Sequence, residues 1–191
     1  MEKSELHNFI KSRRERTFYI SDIKEDVINN IENQITEDFL MLESMIIENG
    51  FTYRFDIINS LGGSLHAALR LVARITEWKS KYPLLRFYSY IPHLCYSAAA
   101  IIAVVMDKRS MSNDCGIIMI HNVCSNSIGK TSTIIDLCAD LTELKILNEI
   151  VIELFVKHTN QCKENIINMM HKTTYIRAQQ AQEYGFIDFI I

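Results

Sequence analysis

Apolar residues along this chain fall into short runs that end at glycine or polar residues, and between the runs they recur at helical spacing. Arg16–Ile20 (RTFYI), Tyr53–Ile58 (YRFDII), Leu85–Ile91, a short return at Met111, Gly116–Ile120 (GIIMI) and the terminal FIDFII read as strands. Arg54 and Asp56 alternate with apolar neighbours, so one face of their strand is expected to be partly wet. A long helix is predicted from about Ile23 to Asn49, capped by Ser21 or Asp22, with Ile23, Val27, Ile31, Ile35, Leu40, Leu42 and Ile46 as its apolar positions and Gly50 as its stop. A second helix, Ser64 to Tyr82, carries Leu65, Leu69, Val72 and Ile75 on one stripe and ends before Pro83. Further helices are predicted over Ser97–Met106, Ser132–Lys157, Lys163–His171 and Arg177–Tyr184, with a loop over Asn122–Lys130.

Strand and helix alternate, which predicts an α/β fold with right-handed crossovers and a largely parallel sheet. The long helix 132–157 lies beyond that core and is available for contacts between subunits. Residues 1–15 are expected to form a flexible arm and residues 16–191 a single domain; at 191 residues the chain can bury a sizeable core. With 48% hydrophobic and 23% charged residues the composition is that of a soluble globular protein.

Charge and cysteine usage mainly exclude. A net charge of -3 gives no polyanion-binding signal, and the basic cluster Lys11–Arg16 is interrupted by Glu15, so it reads as a solvated arm with no nucleic-acid partner. The five cysteines, at 95, 115, 124, 138 and 162, form no CxxC pair, which suggests reduced thiols in the cytoplasm and neither a disulfide framework nor a zinc site. His158 and His171 flank Cys162 without chelating spacing, so no metal is expected. Ile91–Met106 is the most membrane-like stretch, but it contains Pro92 and His93 and stops at Asp107-Lys108-Arg109, so no membrane span is expected. The polar N-terminus shows no signal peptide. Gly129-Lys130-Thr131 resembles the end of a phosphate loop, but the glycine required five positions earlier is Cys124. No cofactor is implied.

Three junctions remain where an apolar run hands over to small or polar residues, the usual place for a site in an α/β fold. The first, Asn59-Ser60-Leu61-Gly62-Gly63-Ser64, allows a sharp turn and close approach to backbone N–H groups; alone, it is equally a tight connector. At the second, Ser97 opens the AAAII helix, where its hydroxyl is either an N-cap or a nucleophile beside free helix N–H groups. The third is His121, which closes an apolar strand and suits a general base when a nucleophile is near. Serine, histidine and a glycine-formed oxyanion site together make the minimal kit for acyl transfer. Cys95 is a weaker alternative nucleophile.

The segments RTFYI, FDIINSLGGS, YSAAAIIAVVMDKRSMSNDCGIIMIHN, HTNQCKENI and AQQAQEYGFID, in this order, resemble the Clp protease proteolytic subunit family of the crotonase-like superfamily. The SAAA…MS…MIHN version is similar to its phage and mobile-element branch. The resemblance implies a domain of repeated strand–helix units with a long protruding helix. It also implies a serine endopeptidase that forms an acyl-enzyme on peptides or unfolded polypeptides. Ser97 would be nucleophile, His121 base, and the N–H groups of Gly63 and Ala98 the oxyanion hole. Substrate would lie as an added strand between Gly62-Gly63 and the residues after His121, Asn122 and Val123. Homo-oligomers are implied, as heptameric rings or double rings meeting through helix 132–157. An ATPase partner is possible, although the short arm before RTFYI argues against dependence on one.

Several positions depart from the family pattern. The acidic residue that usually orients the histidine falls on Thr173, with His171 and Thr174 as poor substitutes. His93, Cys95 and Tyr96 stand where small residues usually precede the nucleophile, Tyr96 being expected to narrow the cleft or reshape the turn, and Leu61 replaces a proline. The alternative is therefore a catalytically impaired structural or regulatory subunit. A hydratase or isomerase acting on acyl thioesters would need catalytic carboxylates, and none is evident.

Overall fold

A computed structural model describes residues 14–124 and 133–191. Most of the expected arm, the phosphate-loop-like Gly129-Lys130-Thr131 and the greater part of the 122–130 loop lie outside the described residues.

The main sheet has five parallel strands, β1 (Glu15–Ile20), β2 (Phe51–Ile57), β3 (Leu85–Ile91), β5 (Lys108–Met111) and β8 (Phe189–Ile190), in that spatial order. A second sheet of three short strands holds β4 (Leu94–Tyr96) parallel to β6 (Ile117–Ile120), and β6 antiparallel to β7 (Thr174–Arg177). The described helices are α1 (Glu25–Asn49), α2 (Leu65–Lys81), α3 (Ala98–Val104), α4 (Ile134–His158), α5 (Lys163–His171) and α6 (Ala178–Glu183). The α/β architecture with a largely parallel main sheet and a long helix agrees with the sequence. The second sheet was not anticipated. Its strands β4 and β7 lie in segments read as a turn and as part of a connection.

Packing follows from the patterns. In β2, Tyr53, Phe55 and Ile57 are fully buried and alternate with half-buried Thr52, Arg54 and Asp56. Tyr53 and Phe87 stack at 5.6 Å and Trp78 of α2 lies over Phe87 at 6.3 Å, forming an aromatic layer between sheet and helices. All seven residues of α3 are buried, which their small and β-branched side chains permit in the middle of the molecule.

Two helix details correct the sequence. The N-cap of α1 is Lys24, without a side-chain cap, and neither Ser21 nor Asp22 serves. The chain just before the helix is committed elsewhere, since Ile23 forms a parallel bridge with Gly63. The buried stripe of α1 is Ile28, Ile31, Ile35, Asp38, Leu42 and Ile46, while Leu40 is 82% exposed. A carboxylate is tolerated on that stripe because Arg16 of β1 lies 3.1 Å from Asp38 and the Tyr53 hydroxyl donates to it at 3.3 Å. At the other end of the chain, Arg109 binds Asp188 through paired hydrogen bonds of 2.6 and 3.1 Å and also donates to the carbonyls of His158 and Gly185. That knot docks β8 onto the sheet edge.

Candidate active site

β4 enters a sharp turn at Ser97 before α3 begins. Ser97 has φ 55° and ψ -123°, a left-handed conformation uncommon outside glycine. It occupies the N-cap position of α3 but makes no capping hydrogen bond. Its Oγ lies instead 2.8 Å from His121 Nε2. The simple capping reading of Ser97 is therefore overturned: the strained turn lifts the hydroxyl off the helix and presents it to the imidazole. His121 reaches the same point because it follows the last residue of β6, whose Met119 carbonyl accepts the Ser97 N–H at 2.8 Å.

The glycine pair closes the opposite side. Gly62 (φ 99°) backs directly onto the serine turn, and a Cβ there would sit 2.8 Å from Ser97 Cβ and 2.9 Å from the Tyr96 carbonyl. A Cβ on Gly63 (φ 142°) would lie 2.2 Å from the Ile23 carbonyl oxygen. The bridge to Ile23 uses the Gly62 carbonyl (3.0 Å) and the Ser64 N–H (2.7 Å). Alternation along the extended segment therefore turns the Gly63 N–H the other way, away from Ile23. The Ala98 N–H belongs to the first turn of α3, where a helix supplies no acceptor.

Gly63, Ser97, Ala98, His121, Asn122 and Val123 all line one cavity of about 70 Å³. Its wall is apolar: Leu65 of α2, Ile101 of α3, Ile120 of β6, and Val151 and Phe155 of α4. A hydroxyl held on an imidazole beside two outward N–H donors and an apolar recess is what acyl transfer requires. Among the described residues, no Asp or Glu lines the cavity.

A family model described as Clp protease matches residues 4–191. The chain belongs to the Clp protease family. Relatives named ATP-dependent Clp protease proteolytic subunit include one from Mesostigma viride, 27% identical over 183 residues, covering 93% of this chain and 72% of its own length. One from Chlorokybus atmophyticus is 26% identical with 93% and 73% coverage. Another, from a Dehalococcoides mccartyi strain, is 30% identical over 140 residues with 70% and 64% coverage. Family membership places the chain among the serine peptidases, at that level of description, and members of the family form ring oligomers.

Against this Clp protease background, the departures of the chain take physical form. Thr173 is not a member of the cavity, and its side chain makes no hydrogen bond among the described residues. The ladder of β6 and β7 ends where Ile120 pairs with Thr174, the sequence neighbours of His121 and Thr173. Thr173 also has φ 52°, an uncomfortable value for a β-branched residue. No hydrogen bond is made to His121 Nδ1 among the described residues. Tyr96, expected to narrow the cleft or reshape the turn, does not line the cavity and packs edge-on against Tyr175 at 5.6 Å. Cys95 is fully buried, and burial pushes its thiol well above the ordinary range, which removes it as a nucleophile.

One contact had no signal in the sequence. Asn148, midway along α4, accepts the Val123 N–H through Oδ1 at 3.1 Å. A lone asparagine in a helix carries no pattern that distinguishes it from a solvated residue. No helix among the described residues is long and apolar enough to cross a membrane.

Proposed function

We propose that this protein is a serine endopeptidase acting through an acyl-enzyme, with Ser97 as nucleophile and His121 as general base. The observation that carries this is the 2.8 Å Ser97 Oγ–His121 Nε2 contact at the mouth of the apolar cavity. The Ser97 O–H donates to Nε2, so attack on a peptide carbonyl passes its proton to His121 without rearrangement. Negative charge then developing on the carbonyl oxygen is met by the N–H groups of Gly63 and Ala98. The imidazolium returns its proton to the leaving amine, and water repeats the sequence in reverse to release the acyl group. Substrate adds as a strand along Gly62, Gly63, Asn122 and Val123. The recess of Leu65, Ile101, Val151 and Phe155 accepts an apolar side chain from the residue whose carbonyl is attacked, in line with its volume of about 70 Å³.

Residues 16–191 act as one peptidase domain, preceded by the 1–15 arm. The domain works in a cytoplasmic homo-oligomer, a heptameric ring or a pair of rings. Support for assembly through α4 comes from its exposed apolar side chains, Ile134 and Ile135 at 80% and Leu137, Leu141 and Ile146 above half. An ATPase partner is not required for cleavage of short peptides or of already unfolded chains. No cofactor or metal takes part. Thr173 marks the position of the third, charge-stabilising group.

A second reading is favoured by one observation, the threonine at 173 in place of a carboxylate. It makes the chain a catalytically impaired subunit that keeps the fold. Assembled protein assayed on short fluorogenic peptides with apolar residues before the scissile bond separates the two. The peptidase reading expects turnover abolished by Ser97→Ala with assembly intact. Turnover that survives Ser97→Ala refutes the assigned nucleophile, and an intact assembly inert toward every such peptide supports the impaired subunit.

A further inference from the structure

The structure assigns Asn148 of α4 as a positioning residue for the catalytic histidine, a role that rests on the peptidase reading above. β6 ends at Ile120, so His121 to Cys124 has no ladder of its own. Two hydrogen bonds from its backbone N–H groups, to opposite sides, hold this segment among the described residues. The Asn122 N–H donates to the Met170 carbonyl of α5 at 3.2 Å, and the Val123 N–H donates to Asn148 Oδ1 at 3.1 Å. Successive N–H groups of an extended segment face opposite sides. The first bond therefore ties the segment to the α5–β7 side, and the second pulls it toward α4 and the cleft.

Asn148 is well placed for this. It lies three and seven positions before Val151 and Phe155, so the three share one face of α4. Val151 and Phe155 line the cavity, together with Val123 itself. Asn148 is thus the polar member of the stripe whose apolar members build the recess. The helix that forms the wall also fixes the height of the strand on which His121 sits. Without the bond, what holds the segment among the described residues is its Met170 anchor on the far side and the end of the β6 ladder, and the distance from the imidazole to Ser97 is less firmly set. Misplacement of a reacting group on the order of 1 Å costs about 10²-fold in rate, and a partial loss of restraint costs less.

The test uses the full-length protein with Asn148→Leu, which keeps the branched shape but accepts no hydrogen bond, and Asn148→Asp, which keeps an acceptor. Asn148→Leu is expected to lower kcat by about tenfold with KM changed less than about twofold. It should also speed amide exchange in peptic fragments covering 119–124. Asn148→Asp should restore both toward wild type. Wild-type kcat and exchange in Asn148→Leu overturn the assignment, as does an Asp variant as impaired as the Leu variant, which would show packing and not the acceptor to matter. Loss of folding in Asn148→Leu leaves the Asp variant to decide, because faster exchange at 119–124 there contradicts the tether. Should the wild type show no Ser97-dependent turnover, the peptidase reading fails. The exchange comparison still decides whether Asn148 holds the segment.

Discussion

Replacing Gly62 by alanine tests how tightly the nucleophile is set. The new Cβ would lie 2.8 Å from Ser97 Cβ, 2.9 Å from the Tyr96 carbonyl oxygen and 3.3 Å from the Ala98 nitrogen. Comfortable carbon contacts begin near about 3.5 Å, so relief requires a shift of roughly 0.7 Å in the serine turn or the glycine segment. Neither partner is a flexible side-chain tip, because the obstacles are the backbone and first side-chain atom of a turn already at φ 55°. The residue itself would also be held at φ 99°, at a cost on the order of 1–3 kcal/mol. Clash and strain together give about 3 kcal/mol, or a fall in melting temperature of roughly 6–12 °C for a chain of this size. A serine displaced by that distance leaves its 2.8 Å contact with His121, and acylation slows by about 10²-fold. The assay is the second-order rate of labelling by a fluorophosphonate, run beside calorimetric melting. Gly50→Ala is the control, since its new Cβ would sit 2.8 Å from the Leu84 carbonyl oxygen at a φ of 74°, in the turn between α1 and β2 that lines no part of the cavity, and it should lower melting without slowing the label. Labelling of Gly62→Ala within about threefold of wild type would refute the claim that Gly62 sets the position of Ser97.

Three further outcomes follow from other parts of the molecule. Thr173→Asp should raise kcat on short peptides by about tenfold or more without lowering the melting temperature, because Asp tolerates the φ of 52° better and would stand beside the last rung that β7 shares with β6, one residue before His121; an unchanged or lower kcat would remove position 173 from the site. Partial burial raises the Asp188 carboxyl, but the Arg109 hydrogen bonds and charge outweigh it and hold the group below its usual range. The stabilisation is then present above the ordinary aspartate pKa of about 4 and is lost as pH falls through the lower folded value, so Asp188→Asn should cost about 1–2 kcal/mol in urea denaturation at pH 7 and progressively less below about pH 4. Equal stability of the two proteins at pH 7 would contradict it. Iodoacetamide should modify exposed Cys115 and Cys162 in the native protein but Cys95 only after denaturation, as read by peptide mass; native modification of Cys95 would show that its strand opens.

The sequence made legible what depends on local pattern and left out what depends on distant partners. Alternation in β2 and the glycine stop at Gly50, whose φ is 74°, follow from neighbours within a few residues. The three junctions converge because each ends an apolar strand, and strand ends in such folds lie together. By contrast, β4 and β7 are three and four residues long and acquire strand form by pairing with β6, β4 being bridged to Ser60 on its other side as well. Asp38 takes the place expected of Leu40 on the buried stripe because Arg16 arrives from β1, a contact that helical periodicity cannot encode. The strained φ of Ser97 is imposed by β4 on one side and Gly62 on the other, so the residue looked like an ordinary helix cap. Asn148 was invisible for the same reason: its meaning lies in one bond to a segment 25 residues away.

The most direct test of the central claim is to find where a fluorophosphonate adduct forms on the assembled protein. Tandem mass spectrometry of a digest should locate one adduct, on Ser97, and both Ser97→Ala and His121→Ala should lose it while keeping the wild-type melting temperature. An adduct on another residue, or one on Ser97 that forms at the wild-type rate without His121, would contradict the assignment of these two side chains as a nucleophile and its base.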